Sequence, residues 1–241
     1  MSLSLDLPVP RRVLAIGAHP DDIEFGCGAT LAKWAHAGAQ VTLCVCTDGA
    51  KGTWDPSADT ASLVARREDE QRDAAAVLGA VGVEFLRYVD GELVDHLAAR
   101  AAVCAVIRRM QPDVVLGHDP WQRYRVHPDH HEAGKLAIAG IVAARDPHFF
   151  PELGLAPHRP ATLLGFEPAA VHHVERVEGF VDTKINALLA HRSQWESTMG
   201  IAAHPEAEER AFADGLRAAA RAEGLRAGLR AAEAFSRIDE L

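Results

Sequence analysis

Val13-Leu14-Ala15-Ile16-Gly17-Ala18, running without a break into His19-Pro20-Asp21-Asp22, is the stretch that sets the class of this chain. A short apolar run that stops in a polar turn reads as a strand buried on both faces, because it keeps no side for water. The same grammar repeats downstream. Residues 28–38 read as a helix closed by Gly38, 41–47 as a strand, and 48–59 as a polar loop. A helix over 61–78 closed by Gly79, a strand at 83–89, a helix at 96–110, a strand at 113–118 and a helix at 131–144 follow. Such alternation specifies an α/β fold with a mostly parallel sheet covered by helices on both faces. The later part is less regular: strands at 161–166 and 172–177, a helix at 183–191, and one or two C-terminal helices from Pro205. No low-complexity linker or internal repeat divides the chain, so residues 1–241 read as one domain.

This order also locates chemistry. His19, Asp21 and Asp22 follow the first strand, Asp48 the second, Asp90 the third, and His118 with Asp119 the fourth. Open α/β sheets bind ligands beyond the carboxyl ends of their strands, so these residues are expected to converge on one rim.

Two short segments carry the chemical inventory. His19 and Asp22, three residues apart on a turn entering a helix, can reach one point. His130, in the segment His127-Pro128-Asp129-His130, completes a set of two histidines and one carboxylate. That set suits zinc with an open position for water, and iron(II) is the alternative metal for the same ligands. Asp21, beside Asp22 but pointing elsewhere, is the expected general base. His127 is expected to stabilise the oxyanion or give a proton to the departing amine, and Asp129 to hydrogen-bond an imidazole and fix its tautomer. The competing reading makes Asp21, Asp22 and Asp129 ordinary helix caps. It serves either segment alone, but it does not explain both at strand ends.

Composition narrows the classes. Of 241 residues 48% are hydrophobic, enough for a sizeable core, and the formal charge is −9 with no long basic run, which argues against nucleic acid. The opening MSLSLDLPVPRR lacks an apolar leader core, and no uncharged stretch has membrane-spanning length, so the expectation is a soluble, cytoplasmic protein. The four cysteines include no CxxC pair, and Cys44 and Cys46 fit one face of a core strand. An Ala-rich terminal segment leaves homo-oligomerisation open.

Ala18-His19-Pro20-Asp21-Asp22, Glu24-Phe25-Gly26-Cys27-Gly28 and His127-x-Asp129-His130 together resemble the signature of the LmbE/PIG-L family of zinc-dependent N-deacetylases. Thr47-Asp48-Gly49, Asp90-Gly91-Glu92-Leu93 and Lys184 through His191-x-Ser193-Gln194 extend the resemblance from Val13 to Gln194. It implies a Rossmann-like fold and hydrolysis of acetyl or larger acyl amides, commonly on glucosamine. It likewise implies metal binding by His19, Asp22 and His130, base work by Asp21, and the oxyanion or acid role for His127. Two positions depart from the pattern. Ile23 stands where many members carry a glutamate, with Glu24 one place later. Arg125 stands where some sugar-thiol deacetylases have a tyrosine, which points to a different, anionic substrate.

Arg67, Asp90 and Arg125 are the expected substrate contacts, reaching hydroxyl, phosphate or carboxylate groups. His118 and His131 are spare imidazoles, and His191 with Ser193 and Gln194 reads as a structural hydrogen-bonding cluster. Other motifs fail: Gly26-Cys27-Gly28 lacks the third glycine of a dinucleotide fingerprint, and there is no P-loop, HExxH or GxSxG. The expectation is a metal-dependent amidohydrolase removing an acyl group, acetyl first, from a small-molecule amino-sugar conjugate. The rival readings are an amidase for a larger acyl or thiol-conjugate amide, and a non-catalytic metal binder.

Overall fold

Apolar runs and turn residues place the elements of the computed structural model, which describes residues 3–123 and 126–241. After the two-residue strand β1 (Ser4–Leu5) come β2 (Arg12–Gly17), α1 (Asp22–His36) and β3 (Gln40–Thr47). Helix α2 (Thr60–Leu78) begins where the Asp59 side chain accepts from Ala61 N, and it ends at Gly79, whose φ of 77° suits a residue without Cβ. Then follow β4 (Gly82–Tyr88), α3 (Leu97–Met110), β5 (Val114–His118) and α4 (Pro128–Arg145). The last third supplies β6 (Thr162–Phe166), β7 (His173–Arg176), α5 (Val181–Leu189), α6 (Pro205–Arg226) and β8 (Ala232–Asp239).

The strands form one sheet in the order β1-β7-β8-β6-β5-β2-β3-β4. All pairings are parallel except those of β8, which runs antiparallel to both β6 and β7. Alternation along β2 sends Val13 and Ala15 to a core shared with α1, α2 and α5, and Leu14 and Ile16 to one shared with α3 and α4. Both faces are therefore covered, and the architecture is the Rossmann-like α/β fold expected. Cys44 and Cys46 lie in the α3/α4 core as buried free thiols. Among the described residues no helix is long and apolar enough to cross a membrane.

Three expectations need correction. Helix α1 starts at Asp22, not near 28, and carries a break at Cys27 (φ −150°) that masks its length in the pattern. Helix α4 starts at Pro128, so Asp129 and His130 stand on its first turn and not on a loop. The chain end is not helical throughout: after α6, Gly228 (φ 71°) turns it back and residues 232–239 become a strand. Ala and Glu favour helix locally, but β6 and β7 leave a slot whose ladder bonds only a strand can fill.

The consequence for function lies at β2. Its neighbours are β3 on one side and β5 on the other, so the chain order reverses there. Such a switch point opens a crevice at the carboxyl ends of the two diverging strands.

Candidate active site

The turn from β2 into α1 is held at both ends. Ala18 O accepts from Thr47 N at 2.8 Å and from Thr47 Oγ1 at 2.9 Å, which ties it to the end of β3. Asp22 folds back so that Oδ2 accepts the His19 backbone N–H at 2.7 Å. Between them Asp21 has φ 98° and ψ −28°, a conformation that residues bearing a Cβ avoid. Asp21 occupies the N-cap position of α1, yet its side chain makes no capping hydrogen bond. Asp129 is not a cap either: His127 holds that place on α4, with Nδ1 accepting from Asp129 N at 3.3 Å. The cap reading thus leaves both carboxylates unexplained.

Three donor atoms meet beyond the strand ends. His19 Nδ1 lies 3.2 Å from Asp22 Oδ2, His130 Nε2 lies 3.3 Å from His19 Nδ1, and His130 Nε2 lies 3.3 Å from Asp22 Oδ1. Around a tetrahedral zinc with bonds of roughly 2.0–2.1 Å, neighbouring ligand atoms stand about 3.3 Å apart. The trio has that spacing, and two imidazoles and a carboxylate are the donor types such an ion takes. The His/Asp sets close enough to share one ion are His19, His127 and His130; Asp22, His118 and His130; and His19, Asp90, His127 and Asp129, so His19, Asp22 and His130 each enter at least one candidate metal set.

The other side of the His19 ring is also fixed. Its Nε2 faces Asp129 Oδ2 at 3.1 Å and Asp90 Oδ1 at 3.2 Å. Asp129 is fully buried and is itself held by Gly91 N at 2.7 Å and Leu93 N at 3.3 Å. The imidazole that Asp129 orients is therefore His19. Burial opposes a charged His19, but the carboxylates of Asp129, Asp22 and Asp90 outweigh it and raise its pKa to about 11. Burial likewise opposes a charged Asp22, yet His130 and His118 hold its pKa well below the ordinary carboxylate value.

Asp21 sits apart from this set. Burial raises its pKa to about 6, with Arg67 opposing and Asp22 adding to the rise. A buried carboxylate titrating near neutrality suits proton transfer. His127 is exposed, with its ring 4.5 Å from that of His19. Because its Nδ1 accepts a backbone N–H, its proton resides on Nε2. Partial burial and the neighbouring His19 lower its pKa, which favours the neutral ring.

A cavity of about 510 Å³ opens over these residues, lined by His19, Asp21, Asp22, Asp90, His127 and His130 together with Phe25, Trp54 and Thr198. Arg67 and Asp90 reach it, but both are already engaged. Arg67 donates to Gly49 O at 2.8 Å and to Pro20 O at 2.6 Å. A Cβ at Gly52 would stand 2.2 Å from Arg67 Nη1, so any larger residue there would have to displace the guanidinium. Asp90 accepts from Lys51 N at 2.9 Å and faces His19. Burial would raise its pKa, but His19, the Lys51 N–H and Arg67 bring it down to about 2. Arg125 lies outside the described residues.

His118 has a larger part in the arrangement than its sequence context signalled. Its Nε2 lies 3.3 Å from Asp22 Oδ2, and its ring stacks on His130 with centroids 4.3 Å apart. The one available sign was its place as the last residue of β5, at the switch point. His191 joins Ser193 and Gln194 through its backbone, its carbonyl accepting from Gln194 N at 2.9 Å while Gln194 Nε2 donates to Ser193 Oγ at 3.0 Å, but its ring turns away, with Nε2 facing Glu24 Oε2 at 3.7 Å. Ser193 also bonds Glu70 at 2.6 Å, and Gln194 donates to Gly52 O at 3.1 Å.

Comparison with known proteins adds three similarities to one family match. The model of the PIG-L family, described as GlcNAc-PI de-N-acetylase, matches residues 14–141. A diacetylchitobiose deacetylase of Thermococcus kodakarensis is 32% identical over 188 residues, covering 77% of this chain and 70% of the relative. A 1D-myo-inositol 2-acetamido-2-deoxy-alpha-D-glucopyranoside deacetylase of Streptomyces avermitilis is 38% identical over 175 residues, covering 62% of this chain. The match spans 58% of that relative, less than two thirds of its length. The solved N,N'-diacetylchitobiose deacetylase of Pyrococcus horikoshii superposes with a TM-score of 0.85 at 30% identity, covering 95% of this chain and 84% of the other.

Proposed function

This chain belongs to the PIG-L, or GlcNAc-PI de-N-acetylase, family, and we propose that it is a zinc-dependent deacetylase that hydrolyses the N-acetyl amide of an amino-sugar conjugate. The observation that carries this reading is the near-equilateral spacing of His19 Nδ1, Asp22 and His130 Nε2, with the buried Asp21 carboxylate beside them. In this reading those three residues hold the ion, which when bound would polarise the amide carbonyl and acidify a water. The same donors accommodate iron(II).

The protein's own groups then do the rest. Asp21 takes the proton from the attacking water as the C–O bond forms. His127 hydrogen-bonds the developing oxyanion through its Nε2–H, and the proton that Asp21 took from the water passes to the nitrogen as the C–N bond breaks. Asp129 and Asp90 keep the Nε2–H of His19 engaged, which leaves its Nδ1 lone pair facing Asp22 and His130. The products are acetate and the free amino sugar. Arg67 and Asp90 shape the cleft through the backbone and through His19, and the cavity extends past them to Trp54 and Thr198, where the sugar and its substituent fit. Residues from the turn after β2, from α1, from the segment after β4 and from α4 contribute to this one centre, so we read the chain as a single catalytic unit.

The test is release of free amine and acetate from N,N'-diacetylchitobiose and N-acetylglucosaminyl-inositol, with zinc-loaded and metal-stripped protein in parallel. Release that depends on added zinc supports the reading. Stoichiometric zinc without release from either compound would overturn the substrate assignment, and release unaffected by stripping would overturn the metal.

A further inference from the structure

Two side chains of α2 grip opposite ends of one peptide bond. Arg67 Nη2 donates to Pro20 O at 2.6 Å, and Gln71 Oε1 accepts the Asp21 N–H at 3.0 Å. The Pro20 carbonyl and the Asp21 N–H belong to the same planar unit, so two fixed ends set its plane. Arg67 and Gln71 are four residues apart and share one helix face, which is why a single rigid element can hold both. Pro20 restricts the preceding φ through its ring, and Asp21 departs at φ 98°.

The grip is braced from behind. Gln71 Nε2 donates to Glu24 Oε1 at 2.6 Å, which fixes which end of the amide faces Asp21. Gln71 and Glu24 are both fully buried, and Gln71 does not line the cavity. A buried glutamine bonded to the backbone of the reacting turn, with no access to substrate, has no chemical step of its own. Without the clamp the Pro20–Asp21 peptide could flip, because the observed φ is unfavourable for an aspartate. A flipped peptide would carry the Asp21 carboxylate away from the point faced by His19, Asp22 and His130.

We infer that Gln71, braced by Glu24 and paired with Arg67, is a positioning residue that holds the Pro20–Asp21 peptide so that Asp21 is aimed at the reacting water. The inference rests on the reading of Asp21 as the general base. It also gives Arg67 a role other than substrate contact.

The experiment follows steady-state hydrolysis of N,N'-diacetylchitobiose by the zinc-loaded full chain, with zinc per chain and thermal midpoint measured on each variant. Gln71→Leu is expected to lower kcat by about 10- to 100-fold, with KM within about twofold and zinc content unchanged, because misplacing a catalytic group costs rate and not binding. The exchange Glu24→Gln with Gln71→Glu reverses donor and acceptor between the two side chains and still offers an oxygen to the Asp21 N–H. It is expected to recover most of kcat relative to Gln71→Glu alone. If Asp21→Asn abolishes turnover while Gln71→Leu keeps full kcat, the clamp is wrong and the base reading stands. If Asp21→Asn keeps full turnover, the base reading itself has failed. Parallel loss of kcat, zinc and thermal midpoint in Gln71→Leu would mean a merely structural role and overturn the inference. Should Gln71→Leu not fold, equal kcat in the exchange variant and in Gln71→Glu alone would overturn it as well.

Discussion

His19 Nε2 lies 3.1 Å from Asp129 Oδ2, on the side of the ring opposite the Nδ1 atom that faces Asp22 and His130. The two residues are 110 positions apart, and the contact decides which nitrogen keeps its proton when the ring is neutral. A carboxylate on the far nitrogen both orients a metal-binding imidazole and raises its basicity. Replacing Asp129 with asparagine keeps the shape but removes the charge. Asp129→Asn is expected to weaken zinc binding roughly 10- to 100-fold, measured by competition with a chromophoric chelator. An unchanged affinity would show that Asp129 does not act through His19.

The same contact gives metal binding a pH dependence of known sign. Without an ion, burial disfavours the charged His19 ring, but Asp129, Asp22 and Asp90 raise its pKa to about 11. The ring is therefore protonated at neutral pH and must lose that proton before Nδ1 can bind zinc. Apparent affinity should rise about tenfold per pH unit through this range, with roughly one proton released per zinc. Calorimetric titration in two buffers of different ionisation enthalpy reads the released proton directly; identical heats in both buffers would contradict the expectation.

Asp21→Asn tests the base separately from the metal. The amide keeps the size of the carboxylate and cannot take a proton. Turnover should fall by about 10²- to 10⁴-fold while zinc content and KM stay near the parent values. Retained turnover with bound zinc would move the base role elsewhere.

The terminal strand is open to a stability test. Phe235 on β8 is fully buried and packs in the same core as Phe166 and Leu164 of β6. Phe235→Ala should cost about 3–5 kcal/mol in denaturant unfolding, as buried aromatic truncations do. A cost below about 1 kcal/mol would mean that β8 is a loosely attached tail.

Much of this was legible in the linear sequence. Strands β2, β3 and β5 are buried on both faces, so each appears as an apolar run bounded by turn residues. His19, Asp21 and Asp22 stood out because they follow a strand end, where a polar cluster has few structural uses, and His130 because its segment His127-Pro128-Asp129-His130 supplies the second imidazole. Strand β8 was not legible. Its Ala-Glu-Ala start favours helix by local propensity, and only the open positions on β6 and β7 make extended backbone the better choice. The start of α1 was hidden by the break at Cys27, which interrupts the helical period.

In the site the division is between residue type and residue partner. The sequence alone determined that two imidazoles and several carboxylates gather at the rim of a parallel sheet. It could not determine that Asp129 serves His19, that His118 backs Asp22, that His191 faces Glu24, or that Gln71 reaches Asp21 from 50 residues away. Those pairings join separate elements, and side-chain partners across elements depend on how helices seat on the sheet. Local periodicity carries the identity of each element; only tertiary packing sets the distance between them.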